Sequence, residues 1–567
     1  MNIRKALIVI VVLAASAVAQ NLTPSQKETD FRNLVAIMNH WYAPLDWKKQ
    51  LLDVDVLDLK TWLSKVSQTK TDLDYYEVCV DYIAALQDTH SSYILPSVFS
   101  AQLGFTVDLY DGVVLIDTIN RTLLRAADYP FAVGDELVSV DGVAAEDLVR
   151  QFMKYSPQGN PRSSRRQAAA RLTVRSQSRM PHATDVGVSA SVVIKRQSGA
   201  LETYTIPWTK TGVPLEVGVV ANPFASTATK QKAAIEVKPD YIRELEMLQY
   251  SGVNPRDVEN GVLNYGSRNP IFLAGLGSNF TRRLGGATAD FFYSGVFKYD
   301  GLTIGYIRIP NYAPPSIPLA LAQLDNEIAY FKATTDGLIV DEMRNTGGNL
   351  CFGENVMQRL SPDPFWSTGF QLRAMYWRVL SYYNNMINAK QSGATPEVIQ
   401  QWETLYAAML AANQQNRGVT EPIPICASSL MRDPAKDADG NVIAYTKPVM
   451  MIIDEFSTST ADSVPSMFQE AGRGLLYGYR SNGAGGNNTS IAVGPYSEGT
   501  VGVTMGVQVK HTPVSVPGYP TTAIIENVGV HPDIVNDYMT RENLLQGGAP
   551  FVNQFLADMA KYIRSKQ

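Results

Sequence analysis

The chain has 567 residues, 45% of them hydrophobic and 18% charged, which is the composition of a globular protein long enough for more than one domain. Its formal net charge of −5 gives no electrostatic support for binding nucleic acid or an anionic membrane, so we expect no nucleic-acid partner. Its three cysteines, Cys79, Cys351 and Cys426, exclude a disulfide framework, although one bridge of unassigned pairing can form. Since no His and Cys spacing indicates a zinc site, we expect neither a metal nor a cofactor.

The N-terminus has the pattern of a secretory signal peptide. Arg4 and Lys5 precede an apolar run from Ala6 to Ala15, and Ala17-Val18-Ala19 supplies a small-residue cleavage site. The apolar run is too short for a comfortable membrane span. We therefore predict a signal peptide at residues 1–19 and export to the periplasm or the extracellular medium. A retained N-terminal anchor is the alternative.

Two regions follow the predicted signal peptide. Apolar residues at helical spacing over residues 24–90 predict a helical N-terminal region, 20–104, that carries His90. Residues 105–211 change to strand-like alternation, with a turn at Asp141-Gly142 and a helix from Ala144. That order resembles a PDZ-like module, which can dock a peptide as an added strand or regulate access. Any β-hairpin followed by a helix would give the same pattern.

The second half of the chain alternates between strands and helices. Residues 212–299 show mixed turns and short apolar runs and predict only a connecting region of uncertain fold. From residue 300 to 567 the alternation predicts an α/β core, with a helical insertion near residues 372–420. The chain closes with a β-rich segment and a final helix.

Two buried strands of this core end in polar turns. The stretch GLIVDEMRNTGGNL places Asp341, Arg344 and Asn345 before the paired glycines Gly347 and Gly348. Paired glycines at a strand end permit close backbone approach and can direct N–H groups into a site. A simple glycine-rich turn is the alternative.

The second strand ends in the hydroxyl run Ser457-Thr458-Ser459-Thr460, directly before an amphipathic helix. Such a run can cap the helix, or it can hold a nucleophile where N–H groups and the helix dipole stabilise a negative oxygen. A third polar segment, IIENVGVHPDI, contains Glu526. It is followed within the segment by the motif Gly-Val-His-Pro-Asp, from Gly529 to Asp533.

The turn Asp341 to Gly348, the elbow Ser457 to Asp462 and the segment Gly529 to Asp533 occur in this order after a signal peptide. Together they resemble the C-terminal-processing (tail-specific) serine proteases, and among these the branch of tricorn and the chlamydial protease-like activity factor. The resemblance covers about half of the chain well. It implies a ClpP/crotonase-like α/β core with a helical N-terminal region and an inserted PDZ-like domain, and it implies a serine-type endopeptidase.

The resemblance places the nucleophile at Ser459, with Ser457 and Ser463 as cap or packing residues. The tail-specific branch has a basic lysine 25 residues after this serine, but here that position is Ala484. The tricorn-like branch instead has a histidine in an N-terminal segment comparable to the one around His90. A serine nucleophile needs a base, so we predict His90 for that role.

The remaining site residues are also implied by the resemblance. Glu526 would orient the histidine, and Thr89 would add a contact, as a hydroxyl precedes the histidine in tricorn. The N–H group of Thr460, with that of Gly347 or Gly348, would form the oxyanion hole. Three supporting residues complete the set: Asp341, Arg344 and Asn345. The competitor for the base is His531, which falls at the variable position of the last motif.

Other functions stay open at this stage. Loss of the lysine at Ala484 fits a peptide-binding scaffold on an inactive protease fold, and acyl chemistry would equally serve an ester or lipid hydrolase. A crotonase-type acyl-CoA enzyme shares the core, but the signal peptide argues against CoA chemistry. For the protease, the expected partners are protein or peptide substrates. Relatives include precursors that cut themselves and dimerise, so self-processing and a homodimer are further hypotheses.

Overall fold

The computed structural model describes residues 21–215, 238–252 and 263–567. The predicted signal peptide lies outside the described residues. Within these three ranges no helix combines the length and apolar character needed to cross a bilayer.

The N-terminal region consists of four helices and a short strand. The first helix begins with a capping box, because the Thr23 hydroxyl accepts the Gln26 N–H and the Gln26 side chain accepts the Thr23 N–H. The elements are α1 (Pro24–Trp41), α2 (Leu45–Leu52), α3 (Leu59–Ser67), α4 (Asp72–Ala84) and β1 (Ser92–Ile94). Strand β1 pairs antiparallel with the far end of the chain, with Ser92 opposite Gly502. This pairing attaches the N-terminal region to the core.

A β-rich domain follows, built on a sheet of order β3-β4-β5-β8-β9 with β6 beside β5, and on a smaller sheet of order β10-β2-β7. The strands are β2 (Ser100–Gln102), β3 (Phe105–Tyr110), β4 (Val113–Ile119), β5 (Glu136–Val140), β6 (Val143–Ala144), β7 (Val174–Ser176), β8 (Ser189–Lys195), β9 (Leu201–Pro207) and β10 (Thr209–Thr211). The helices are α5 (Ala145–Phe152) and α6 (Pro161–Ala170). This is the predicted PDZ-like arrangement of strands, turn and helix.

The C-terminal α/β core is built on a seven-stranded sheet of order β12-β13-β14-β15-β20-β21-β25. Its strands are β12 (Phe280–Leu284), β13 (Tyr293–Tyr299), β14 (Leu302–Arg308), β15 (Gly337–Asp341), β20 (Val449–Ile453), β21 (Leu475–Gly478) and β25 (Ile534–Val535). Strands β14, β15, β20, β21 and β25 are parallel. Because β15 and β20 are neighbours, the polar turns after their carboxyl ends lie at the same edge of the sheet.

Helices cover this sheet, and a second sheet stands beside it. The helices are α7 (Asp240–Gln249), α8 (Ile317–Thr334), α9 (Leu350–Leu360), α10 (Tyr376–Gln391), α11 (Pro396–Gln414), α12 (Thr460–Glu470), α13 (Arg541–Leu545) and α14 (Ala549–Ser565). The remaining strands are β11 (Tyr250–Gly252), β16 (Gly347–Asn349), β17 (Phe365–Trp366), β18 (Gly369–Leu372), β19 (Met431–Arg432), β22 (Gly486–Ala492), β23 (Thr500–Val514) and β24 (Thr522–Ile524). The long strand β23 pairs with β1, β18, β22 and β24 in the second sheet.

A disulfide joins the helical insertion to the core. It links Cys351, in the first turn of α9, to Cys426, in the loop after α11, whereas Cys79 is a buried free thiol. The sequence could not assign this pairing, because the two cysteines lie 75 residues apart and only the folded chain brings them together.

Replacing both bridge cysteines, Cys351→Ala with Cys426→Ala, should lower the free energy of unfolding by about 2–4 kcal/mol, since the bridge restricts the unfolded chain. Thermal unfolding with and without a reductant measures the effect. Reductant should lower the midpoint of the wild-type protein and leave that of the double variant unchanged. A wild-type midpoint that does not respond to complete reduction would contradict this expectation.

Candidate active site

Ser459 lies at a sharp elbow between β20 and α12. It is the N-cap residue of α12 and adopts a φ of +66°, a conformation that non-glycine residues rarely take. Its N–H donates to Asp462 Oδ2 at 2.7 Å, and the residue is fully buried. Positive φ at a strand-to-helix turn is typical of a nucleophile presented at the end of a sheet.

The other hydroxyls of the elbow have structural partners. The Ser457 hydroxyl donates to the Glu342 carbonyl at 2.8 Å, and that of Ser463 donates to Gln508 Oε1 at 2.7 Å. Among these serines, Ser459 is the one whose hydroxyl contacts a histidine, His90. The start of α12 is capped as well, since the Asp462 carboxylate accepts the N–H of the N-cap residue Ser459.

His90 lies against Ser459, although 369 residues separate them in the sequence: His90 Nε2 is 3.1 Å from Ser459 Oγ. The His90 backbone is fixed, since its N–H donates to Asp88 Oδ1 at 2.8 Å and its carbonyl accepts from Asn488. The pKa of His90 is lowered to about 4, mainly by burial, with Asp88 opposing the shift and the Lys48 charge adding to it. The imidazole is therefore neutral over most of the pH range and can accept a proton.

Glu526 lies in the same buried region but makes no direct hydrogen bond to His90. Its Oε1 accepts from Lys48 Nζ at 2.5 Å, and Lys48 also donates to Asn527 Oδ1 at 2.6 Å. Glu526 Oε2 and His90 Nδ1 are buried and have no hydrogen-bond partner among the described residues. Burial and the charge of Asp88 raise the pKa of Glu526 to about 8, against the opposing effect of Lys48.

The glycine turn after β15 lies directly beside the elbow. A Cβ on Gly347 would lie 2.8 Å from Ser459 Cβ, and one on Gly348 would lie 2.3 Å from the Tyr312 carbonyl carbon, so both positions require glycine. The Gly347 N–H donates to Asn345 Oδ1 at 2.9 Å within its own turn. Of the two glycines predicted for the oxyanion hole, Gly348 is therefore the better donor beside Thr460, whose hydroxyl donates to the Gly348 carbonyl at 3.0 Å.

The predicted supporting residues connect the turn to the elbow. The Arg344 N–H donates to Asp454 Oδ1 at 2.8 Å, and the Asn345 carbonyl accepts the Thr458 N–H at 3.0 Å. Asp341 accepts from the Tyr306 hydroxyl, one strand away. The bonds of Arg344 and Asn345 hold the two turns in register, whereas the bond of Asp341 joins β15 to β14.

Three further predicted positions also have clear locations. Thr89 donates to Asn482 Oδ1 at 2.8 Å, next to His90. Ala484 is buried, and its N–H donates to Asp462 Oδ2 at 3.0 Å, so a methyl group occupies the position where the tail-specific branch has its lysine. His531 is half-buried and is not among the hydrogen-bond partners of Ser459.

Part of the chain itself covers the site. Strand β11 pairs antiparallel with β16, with Ser251 opposite Gly348. The Ser251 hydroxyl contacts Ser459 Oγ and the Gly486 carbonyl, and the Ser251 carbonyl accepts from Thr460 Oγ1 at 3.3 Å. The segment before it, α7, packs on the helical insertion, where the Ser392 and Tyr241 hydroxyls are 2.8 Å apart.

Sequence reasoning missed Lys48 and Ser251. Lys48 stands beside Lys49 in a short amphipathic helix, so nothing in the local pattern separates the buried lysine from the exposed one. Ser251 belongs to the region for which no fold was predicted. Its signal was weak, because a three-residue strand has no periodicity to detect.

Comparisons with known proteins agree with this fold. Residues 303–536 match the family model described as Peptidase family S41, and residues 99–215 match the model described as PDZ domain. The chain is 23% identical over 569 residues to a protein of Chlamydia trachomatis, covering 90% of this chain and 89% of that protein. It is 22% identical over 595 residues to a protein of Chlamydia pneumoniae, covering 94% and 90% respectively.

Among solved structures, mature CPAF complexed with lactacystin superimposes with a TM-score of 0.72 at 21% identity, covering 96% of this chain and 99% of that chain. At that identity the likeness shows the fold. The fold and the family match together define a serine-type peptidase. The chain carries a peptidase family S41 domain joined to a PDZ domain, which confirms the predicted resemblance and fold class. Ser459 and Glu526 lie inside the S41 match and His90 outside it, and their catalytic roles stay predictions.

The pKa of His90 offers a direct test of this electrostatic environment. In wild type it should lie near 4, and Lys48→Met should raise it, because the Lys48 ammonium is one of the groups that disfavour the imidazolium. NMR titration of protein with 13C-labelled histidine measures it, with His90→Gln to assign the signal. Lys49→Met is the matched control, since Lys49 is 67% exposed and pairs with Asp55. An equal pKa in wild type and Lys48→Met would contradict the expectation.

Proposed function

We propose that the chain is an exported serine endopeptidase in which Ser459 is the nucleophile, His90 the general base and Glu526 the acidic residue that acts on His90. The observation that carries the proposal is the 3.1 Å contact between His90 Nε2 and Ser459 Oγ at a buried elbow. A serine hydroxyl needs such a base near neutral pH. The contact argues against an inactive scaffold, because this chain has Ala484 in place of the lysine but still has a histidine within reach of the serine.

In the proposed reaction His90 takes the Ser459 proton while Ser459 Oγ bonds to the peptide carbonyl carbon. The N–H groups of Thr460 and Gly348 stabilise the oxygen that becomes negative. His90 then gives the proton to the leaving amine as the C–N bond breaks, which leaves an ester on Ser459. Water, deprotonated by His90, hydrolyses the ester, releases the carboxylic acid and restores the serine.

Glu526 acts in this proposal through its charge. The imidazolium that forms during the reaction needs negative charge nearby. When Glu526 is protonated, the charges of Lys48 and Asp88 cancel each other. When Glu526 is ionised, one negative charge is in excess beside the imidazolium. A pKa raised to about 8 therefore makes the charge state of Glu526 sensitive to pH near neutrality.

The proposed substrates are proteins or peptides in an extended conformation. The backbone of β16 lies at the edge of the site and already pairs with β11, three residues of extended chain. A substrate strand that takes the same place would present its backbone carbonyls beside Ser459. This pairing uses backbone groups alone, so it favours peptide substrates over lipid or simple ester substrates.

The position of β11 supports a precursor that restrains itself. Ser251 lies against Ser459, and Ser459 is fully buried, so a substrate strand can pair with β16 only after β11 leaves. We therefore propose that the segment through β11 is an internal inhibitor, and that cleavage within the connecting region releases it. A homodimer of the released form is a further part of the proposal.

Export is the last part of the proposal. It rests on the signal-peptide pattern of residues 1–19 and is supported by the Cys351–Cys426 bridge. Disulfides form and persist in oxidising compartments such as the periplasm and the extracellular medium.

Cleavage of unfolded casein tests the catalytic residues. Ser459→Ala and His90→Ala should each lower kcat/KM by about 10⁴-fold or more, because the nucleophile and its base act as a unit. Above pH 8, where Glu526 is ionised, Glu526→Gln should weaken activity without abolishing it, since it removes a charge that acts through His90. Rates measured after removal of the inhibitory segment give the comparison.

The controls for this panel are Ser490→Ala, an exposed serine, and His531→Ala, the competing histidine, and both should retain activity. An inactive wild type that gains activity with Ala484→Lys would instead indicate a tail-specific protease that lost its base. Faster turnover of simple esters than of casein would favour the ester hydrolase.

Self-processing predicts that wild type and Ser459→Ala differ in chain length on SDS gels. Purified wild type should convert with time into shorter fragments cut between residues 212 and 299, and Ser459→Ala should stay intact because it lacks the nucleophile. N-terminal sequencing locates the cut, and size-exclusion chromatography before and after it tests the dimer. One intact chain in both proteins would overturn self-processing, and so would equal cutting in both.

A further inference from the structure

Helix α6 fills the groove along one edge of the PDZ sheet. PDZ domains take a peptide as a strand added to a sheet edge. Here β3 is an edge strand, and α6 packs against both β3 and α5. Ala168 and Ala169 of α6 belong to the same buried core as Val107 of β3 and Val149 of α5. Small side chains allow the helix to lie close to both walls.

Two adjacent arginines attach α6 to the two walls of this groove. Arg165 forms a double hydrogen bond with Glu146 of α5, with both distances 3.0 Å. Arg166 forms a double hydrogen bond with Asp108 of β3, at 2.9 and 2.7 Å. The planar guanidinium matches a carboxylate in this geometry, which fixes direction as well as distance.

Arg166 also reaches the nucleophile elbow. Its Nη1 donates to Glu455 Oε1 at 2.7 Å, and Glu455 lies four residues before Ser459. The same helix holds the Glu455 carbonyl through the Ser163 hydroxyl. Arg162 adds a bond to Glu455 Oε1 at 2.8 Å. The Arg166 and Glu455 side chains are almost completely buried, so solvent does not weaken their interaction.

The residues just before α6 reach the histidine side of the site. The Gly159 N–H donates to Thr89 Oγ1 at 3.0 Å, next to His90. Asn160 Nδ2 donates to the Ser481 carbonyl at 3.2 Å, and Gln158 Oε1 accepts from Asn482 at 3.0 Å. One continuous segment, residues 158–166, therefore contacts both the loop of the predicted base and the loop of the predicted nucleophile.

We propose that this segment is a brace, and that Arg166 is a positioning residue that holds the elbow through Glu455. The sheet of the PDZ domain is the rigid support against which α6 packs. Helix α6 occupies the β3 edge of that sheet. The inference rests on the proposed function, because it assigns to Arg166 an effect on the Ser459–His90 pair.

The test compares two neighbouring arginines that attach the same helix. Arg166→Met removes the bond to the elbow together with the bonds to Asp108 and Tyr538, whereas Arg165→Met removes a bond to α5 only. In active-site-titrated enzyme, Arg166→Met should lower kcat for a casein peptide at least tenfold with KM unchanged, and Arg165→Met should leave both within twofold. Arg166→Lys, which keeps the charge, should recover part of kcat. Equal effects of Arg165→Met and Arg166→Met would overturn the proposal.

A double-mutant cycle checks that the effect passes through Glu455. Glu455→Gln alone should lower kcat, and adding Arg166→Met to it should cost much less than Arg166→Met costs in wild type. Additive losses would contradict the proposed route. If Arg166→Met does not fold, Glu455→Gln, which keeps the side-chain shape, carries the test alone: kcat must fall while the thermal midpoint stays near that of Arg165→Met.

The NMR signal of His90 separates this inference from the proposed function. Should wild type neither cleave casein nor react with a fluorophosphonate, the proposed function fails. The brace then predicts that Glu455→Gln or Arg166→Met still moves the His90 signal, and that Arg165→Met does not. An unmoved His90 signal in all three variants would overturn the brace. An active wild type with unchanged kcat in Arg166→Met would overturn the brace alone.

Discussion

The predicted catalytic pair depends on the antiparallel pairing of β1 with β23. Only three residues of β1 take part, from Ser92 to Ile94, so backbone hydrogen bonds alone would not hold the N-terminal region in place. The larger contribution is apolar. The buried core around α1 to α4 includes Val501 and Val503 of β23, so the N-terminal helices share one core with the second sheet. Each fully buried side chain of this kind contributes roughly 1.5–3 kcal/mol.

This docking determines where His90 lies. Its loop follows α4 and precedes β1, so the imidazole reaches Ser459 only when both elements are in register with β23. Asp88 completes the arrangement, since its carboxylate accepts the His90 N–H and the Thr504 hydroxyl of β23. Burying a carboxylate is costly unless hydrogen bonds satisfy it, and the partners of Asp88 come both from its own loop and from β23, so it joins local loop geometry to long-range packing.

The sequence predicted the parts of the site that are local. The turns at Asp341 to Gly348 and at Ser457 to Asp462 follow hydrophobic strands, and strand patterns are visible in a short window. Both strands are parallel neighbours in the sheet, so knowing that the core is of the α/β class is enough to expect the two turns at the same edge. His90 came from the family resemblance, because no local pattern indicates which of five histidines meets a serine 369 residues away.

The contacts that could not be predicted are polar contacts between distant segments. Lys48 with Glu526 and Arg166 with Glu455 join charges across 478 and 289 residues. A charged residue in an amphipathic helix is normally solvated, so its sequence context indicates a surface position. Burial of such a charge is tolerated only when a charged or polar residue from a distant segment pairs with it, and that pairing depends on tertiary packing. The PDZ-like prediction was confirmed, but the role of α6 depends on contacts outside that domain.

The covering strand illustrates how weak contacts can restrain an enzyme when they are tethered. Strand β11 has only three residues in its ladder with β16, which is a small interface for a free peptide. Within one chain, however, the strand is present at a high effective concentration, so even a weak intrinsic affinity keeps the site occupied. The buried side chains of α7, Tyr241, Leu245 and Leu248, anchor the strand by packing against the helical insertion. The segment is attached to the chain at both ends, so a cut on one side removes one covalent attachment and a cut on the other side removes the second, without altering any contact at Ser459. The proposed precursor therefore needs no tight inhibitor to stay inactive, because the contacts of β11 are too few to keep the site occupied once both attachments are gone.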